Sequence, residues 1–270
     1  MPIAKEDTSK VNILNALAVE YKRDNPDTTI YYAKQALLLS EKVGFKIGIG
    51  EAHLYWGKAI LNSGNYDEAL NHYTKARVLF EQLLISKTDQ KRIKKLLARA
   101  LYNIGEVYNG QGNYSEALKI YLEALKIRKE IEDKNGIADS YNNMGRVYFD
   151  LGNYPQALKN HFAALKIREE IKDKYGQGNS FNNLGNIYYA QGDFPGALKY
   201  YFAGLKIRKE INDKSGEGGS YHNIGNIYME QRNYSEALKV HFMSLKIREE
   251  IKDQPAIAYS YGNLGSVYYA

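Results

Sequence analysis

Five Asn-x-Gly triplets place Gly105, Gly145, Gly185, Gly225 and Gly265 forty residues apart, and the residues around each move in step. A unit repeated at one fixed period cannot enclose its own apolar face, so neighbouring units must stack to build a continuous core. Such a chain is expected to fold as a solenoid. Its 270 residues then call for no boundary between separate globular domains.

Within one period, Leu101, Ile104, Gly105 and Tyr108 fall at i, i+3, i+4 and i+7, the stripe of an amphipathic helix, here helix A. Ala117, Leu118, Tyr121, Ala124, Leu125 and Ile131 mark a longer helix B. Between them Gly112 suits the left-handed residue that ends helix A, and Asn113 with Glu116 reads as an N-cap with a capping box. Small residues, Gly105 with Ala117 and likewise Gly57/Ala69, Gly145/Ala157, Gly185/Ala197 and Gly225/Ala237, are expected where the two helices cross. Tyr108, Tyr148, Tyr188, Tyr228 and Tyr268 are expected in the core with the hydroxyl at an edge.

The pattern Phe181-x-x-Leu184-Gly185-x-x-Tyr188, followed by Ala197, Tyr201 and Gly204, resembles the tetratricopeptide repeat. The resemblance implies an all-α fold, a right-handed superhelical solenoid of helix-turn-helix repeats. It covers residues 11–270 after a polar segment at 1–10: a diverged repeat at 11–43, repeats near 50–84, 98–134, 138–174, 178–214 and 218–254, and a lone helix A at 258–270. The forty-residue form, with helix B running on through "LKIRKEI", is similar to the repeats of LGN/Pins adaptors and kinesin light chains and to sensor regions of bacterial histidine kinases and adenylate cyclases. The opening is most similar to the last group.

Comparing repeats with one another separates scaffold from site. Asn103, Asn143, Asn183, Asn223 and Asn263 are identical in every unit and are expected to satisfy backbone groups of a neighbouring helix, with ligand clamping as the other reading. A neighbouring helix A stripe varies, and in tetratricopeptide superhelices it faces the concave groove. Its candidate ligand residues are Arg99, Tyr102, Asn142, Arg146, Phe149, Asn179, Asn182, Asn186, Tyr189, His222, Asn226 and Met229. Amides donate and accept, so a row of them suits the backbone of an extended peptide, with Phe149, Tyr189 and Met229 offering side-chain pockets. Where a chaperone-type carboxylate clamp requires Lys, this chain has Tyr102, Asn142, Asn182 and His222, which argues against acidic chaperone tails. Between Gly57 and Gly105 the spacing stretches to 48 residues; the basic insert "ISKTDQKRIKK" is expected to lengthen a helix end or loop.

Catalysis has no sequence support. There is no cysteine, and the five histidines form no spaced metal pair; His161 and His241 stand where sister repeats have Tyr121 and Tyr201, as packing substitutes. Gly48-Ile49-Gly50 and Gly216-Glu217-Gly218-Gly219 are expected in loops without a preceding strand, unlike a phosphate loop. Asn113-Tyr114-Ser115 and Asn233-Tyr234-Ser235 match a glycosylation acceptor, but capping explains both. The net charge of +6 sits mainly on repeated Lys-x-Arg positions and reads as a solvated face rather than a nucleic-acid stripe. No apolar run reaches the roughly 18 residues of a membrane span. The compartment reads as cytoplasmic, or periplasmic for a sensor segment. No cofactor is implied. The expected function is a protein- or peptide-binding scaffold within a larger signalling protein; a stand-alone adaptor and a peptide-responsive regulator remain open. Tyr261, Leu264, Gly265 and Tyr268 keep the buried pattern at the last helix, so an open stripe and self-association through it are expected.

Overall fold

The structure, a computed structural model, describes residues 3–21, 25–86 and 89–270. Among them it has thirteen α-helices, one 3-10 turn at Leu84–Ser86 and no strand. Six helix pairs follow in order: α1 (Ile3–Tyr21) with α2 (Pro26–Lys42), α3 (Lys46–Asn62) with α4 (Tyr66–Leu83), α5 (Gln90–Gly110) with α6 (Tyr114–Glu130), α7 (Lys134–Asp150) with α8 (Tyr154–Glu170), α9 (Lys174–Ala190) with α10 (Phe194–Glu210), and α11 (Lys214–Glu230) with α12 (Tyr234–Glu250). A last helix A, α13, spans Gln254–Tyr269. The chain divides into two compact units, Met1–Ser140 and Tyr141–Ala270. Residues 3–10, polar in sequence, belong to α1. The basic insert extends α5 to 21 residues, against 17 for its counterparts; Lys87 and Thr88 of the insert lie outside the described residues.

The turn inside each hairpin follows from its glycine. Gly112 has φ 74°, Gly64, Gly152 and Gly192 are left-handed in the equivalent turns, and in the turn from α11 to α12 Arg232 takes that place at φ 57°. Asn113 then accepts from the Glu116 N–H. The reciprocal half of the capping box is absent here, because the Asn113 N–H is taken by the Tyr108 carbonyl at 2.8 Å as helix A closes. The turn from α2 to α3 uses Gly44 at φ 68°, but those that follow α6, α8, α10 and α12 use no glycine: Glu132, Lys172, Asn212 and Lys252 adopt φ of 56–58°. The aspartates that follow them cap the next helix, as Asp173 does by accepting from the Gly176 N–H at 2.9 Å.

Inside the hairpin the conserved glycine seats a ring. A Cβ at Gly105 would stand 2.5 Å from the Tyr121 ring, and Gly57, Gly145, Gly185 and Gly225 meet Tyr73, His161, Tyr201 and His241 in the same way. The expected alanine partners are fully buried, but the close approach is made by these rings. His161 and His241 are thus packing substitutes for tyrosine. At Gly265 a Cβ would meet nothing. The tyrosines expected in the core are only half-buried, and Tyr268 is exposed; the residues just before them, Val107, Val147, Ile187 and Ile227, are fully enclosed. Leu264, expected on an open stripe, is buried as well, whereas Tyr261 and Tyr268 of that stripe are exposed.

The Lys-x-Arg positions are not a uniformly solvated face. Lys126, Lys166, Lys206 and Lys246 are exposed, yet Arg128, Arg168 and Arg208 are buried and Arg248 is half-buried. In unit 1 the Arg128 Nη1 donates to the Gly136 carbonyl and to Ser140 Oγ, both at 2.7 Å. Unit 2 repeats the clasp three times, from Arg168 to Gly176 and Ser180, from Arg208 to Gly216 and Ser220, and from Arg248 to Ala256 and Ser260. Each clasp ties the end of helix B to the start of the following helix A, which gives the burial of a guanidinium its compensation. The glycine clusters expected in loops lie inside α3 and α11, where Gly48 and Gly50 let side chains of neighbouring helices press against the backbone.

Candidate functional site

In unit 1 the helix A stripe is charged. Leu54 is fully buried and belongs to the core, whereas Glu51, Lys58, Arg99, Tyr102 and Glu106 are half-buried. Glu106 accepts from the Tyr121 hydroxyl. Tyr102 lies under the Arg128 guanidinium, 4.7 Å from its ring centroid, so its face is occupied from within. A depression of about 410 Å³ lies between α3, α5 and the start of α7. Glu51, Arg92, Lys95 and Arg99 line one wall, and Asp133 and Asp139 the other. Arg92 Nη2 is 3.3 Å from Glu51, and Arg99 donates to the Tyr55 hydroxyl at 3.3 Å while lying over that ring. Burial raises the Glu51 carboxyl, with Arg92 and Arg99 pulling it back down.

Elsewhere in unit 1, between α3 and α4, His53 and His72 meet Nδ1 to Nδ1 at 2.9 Å, and Trp56 packs on His72 with ring centroids 4.4 Å apart. Burial brings both imidazoles down to about 4, aided by Lys75 and, at His72, first by His53, so both rings are neutral and one donates its Nδ1–H to the Nδ1 of the other. Among the described residues, no cluster of three or more His, Cys, Asp or Glu is placed to hold a metal ion.

In unit 2 the stripe is amide-rich and largely paired internally. The identical asparagines bond to side chains of the preceding repeat instead of to backbone: Asn183 Nδ2 donates to Asn142 Oδ1 at 3.0 Å, Asn223 Nδ2 to Asn182 Oδ1 at 2.8 Å, and Asn263 Nδ2 contacts His222 Nδ1 at 3.0 Å. Asn179 accepts from Arg208, and Asn186 from the Tyr201 hydroxyl at 2.7 Å. Asn226 Nδ2 contacts His222 Nε2 at 3.0 Å. Burial, with help from Arg248 and His241, brings the His222 imidazole down to about 4, keeping it neutral, with one ring nitrogen to accept and the other carrying the proton. Tyr189 donates to Glu230 at 3.4 Å, and Met229 is half-buried.

A cavity of about 210 Å³ brings Arg146, Phe149 and Asn186 together with Asp150, His161 and Asn183. Arg146 is exposed at its mouth, and the Phe149 ring rests 5.9 Å from Tyr154. His161 is held at about 4 by burial and then by Arg168 and Arg146, and its Nδ1 has no hydrogen-bond partner. The arrangement offers an apolar ring, a cation and amide groups within one opening, as recognition of an extended chain requires. Sequence reasoning missed His161 and Asn183 as lining residues, because one was assigned to packing and the other to the scaffold. It placed Glu51 on the variable stripe but missed Arg92 and Lys95 beside it, although the eight-residue stretch in spacing pointed to that place.

No described helix is long and apolar enough to cross a membrane. Over 79 residues the chain is 34% identical to the outer dynein arm-docking complex subunit 4 of Danio rerio, covering 29% of this chain and 15% of that protein's length. Its fold is similar to that of BtubC (BKLC) from P. vanneervenii, with TM-score 0.72 and 19% identity over 84% of this chain and 92% of the other. It is also similar to a Rap protein solved in complex with Competence and Sporulation Factor, with TM-score 0.64 and 17% identity over 96% and 75% of the two chains. Sequence models of the tetratricopeptide repeat match residues 54–130, 96–170, 136–210 and 218–251, spanning well over half of the chain together. With stacked hairpins, glycine-seated rings and these matches, the chain belongs to the tetratricopeptide repeat family, a fold that serves as a scaffold for protein interactions.

Proposed function

We propose that the helix A faces of the two units bind protein segments in extended conformation. The observation that carries this reading is the cavity of unit 2, where Phe149, Arg146 and Asn186 line one opening. The Rap protein solved with Competence and Sporulation Factor supports it, as a chain of similar fold that holds a ligand. Signalling is the setting we favour, on the same support.

The test uses a display library of random octapeptides selected on the full chain. Recovered peptides should bind Phe149→Ala and Arg146→Ala forms roughly tenfold more weakly, the loss expected for an aromatic anchor or a charged contact. Equal affinity for the variants would place binding elsewhere. Asn186→Ala is a poor probe, because it also removes the acceptor of the buried Tyr201 hydroxyl.

A further inference from the structure

The longer α5 does more than extend a rim. Arg92 stands on the extra turn that the basic insert adds, residues 90–93, and Lys95 lies just beyond it; they meet Arg99 on the same helix and Glu51 on α3. That wall therefore holds three cations against one carboxylate. Glu51 lies deep, its side chain 14% exposed, and is shared between Arg92 and the field of Arg99, whereas the Arg92 side chain is 43% exposed. Lys95 is exposed and makes no ion pair among the described residues. The fourth cation, Arg128, is spent on the clasp to Gly136 and Ser140. Arg92 is the outer, more exposed member of its pair with Glu51, and its guanidinium keeps further N–H donors for an incoming anion. The opposite wall carries Asp133, which caps α7 through the Gly136 N–H, and the exposed Asp139. A doubly charged phosphate would face these two carboxylates, whereas a single carboxylate would sit against the three cations.

We propose that this depression in unit 1 is a subsite for an aspartate or glutamate side chain of an extended peptide, held by Arg92, Lys95 and Arg99. The assignment rests on the reading of the helix A faces as peptide-binding. The volume of about 410 Å³ admits one or two side chains with a short stretch of backbone. Arginine and lysine on one rigid helix give the carboxylate both a forked donor and a mobile point charge. Because the extra turn is peculiar to α5, the selectivity belongs to this one place and not to the repeat as such.

An array of random octapeptides, with a second set carrying phosphoserine, probed with the full chain tests it. The wild-type chain should select peptides enriched in Asp or Glu. Arg92→Gln with Lys95→Gln should lose that enrichment, weakening acid-containing peptides about tenfold and sparing the others. Lys95→Glu, at an exposed position that leaves folding intact, should reject the acidic peptides. Peptides bound without acidic enrichment, enrichment that survives the double change, or preference for phosphoserine over glutamate would each overturn the subsite while leaving peptide binding itself standing. An array on which the wild type binds nothing would overturn both.

Discussion

Units 1 and 2 are built from the same hairpin, yet their helix A faces differ in kind. In unit 1 the face is ionic, with Glu51, Arg92 and Arg99 around a wide depression. In unit 2 it is a run of amides already tied from repeat to repeat. The difference teaches what variation between repeats means. A position that varies is not thereby free: the place held by Tyr102, Asn142, Asn182 and His222 changes between repeats, but the last three each answer an identical asparagine of the next repeat. After Gly105 and Gly185 the next residue likewise answers the ring seated on the glycine. Glu106 and Asn186 accept from Tyr121 and Tyr201, whereas Lys58 cannot accept and leaves the Tyr73 hydroxyl buried without a partner.

The clasps offer the largest test of this likeness beneath the difference. Arg128→Ala in unit 1 and Arg168→Ala in unit 2 should each destabilise the chain by roughly 3–4 kcal/mol in urea unfolding, because each strands a carbonyl and a serine under a neighbouring helix. Arg248→Ala should cost less, as that side chain is more open to solvent. A loss under 1 kcal/mol at Arg168 would mean that the guanidinium is replaced by water without penalty.

Acid should strike both units, unit 1 through His53 and His72 and unit 2 through His161, His222 and His241. Four of these are held at about 4 in the folded chain against 6.5 for an ordinary imidazole, and His241 is shifted in the same direction. The unfolded chain therefore takes up protons first as pH falls. Stability is complete above about pH 6.5 and is lost progressively down to about pH 4, on the order of 3 kcal/mol from the enclosed His161 alone. His161→Tyr, which installs the ring of the sister repeats, should flatten the slope of the melting temperature against pH in this window. An unchanged slope would assign the acid sensitivity to other groups.

The two hydroxyls give a finer contrast. Tyr201→Phe should cost about 1 kcal/mol by removing the bond to Asn186, while Tyr73→Phe should be neutral or stabilising because its hydroxyl is buried unpaired. Equal effects would break the link between ring and stripe. Smallest is Arg232→Gly, expected to stabilise unit 2 by about 0.5–1 kcal/mol, since the residue is left-handed at φ 57° where unit 1 has Gly64 and Gly112. A lower melting temperature would reveal a compensating contact.

What the sequence made legible was local. The period, the hairpin, the glycine turn and the asparagine cap each lie within a few residues of their signal, and the structure keeps them. The clasp was hidden because Arg168, Asp173 and Ser180 belong to a helix end, a turn and another helix, and a Lys-x-Arg run on its own reads as solvated surface. The recurrence of that spacing in Arg128/Ser140, Arg208/Ser220 and Arg248/Ser260 was the available clue. The ring seats were half-visible, since glycine asked for a close neighbour but alanine seemed a sufficient one. The asparagine pairs join residues 41 apart, and the ionic wall joins Glu51 to Arg92 across two helices. Such contacts depend on how hairpins stack, which periodicity alone does not specify.

Whether the helix A face is the binding face is most directly tested by photocrosslinking. Benzoylphenylalanine placed at Phe149, on helix A, and separately at Phe202, an exposed residue of helix B, would be irradiated with a peptide recovered from the octapeptide library. The account predicts a crosslinked product from position 149 and none from position 202. A crosslink from 202 alone would contradict it and move recognition to the opposite helices of the hairpins.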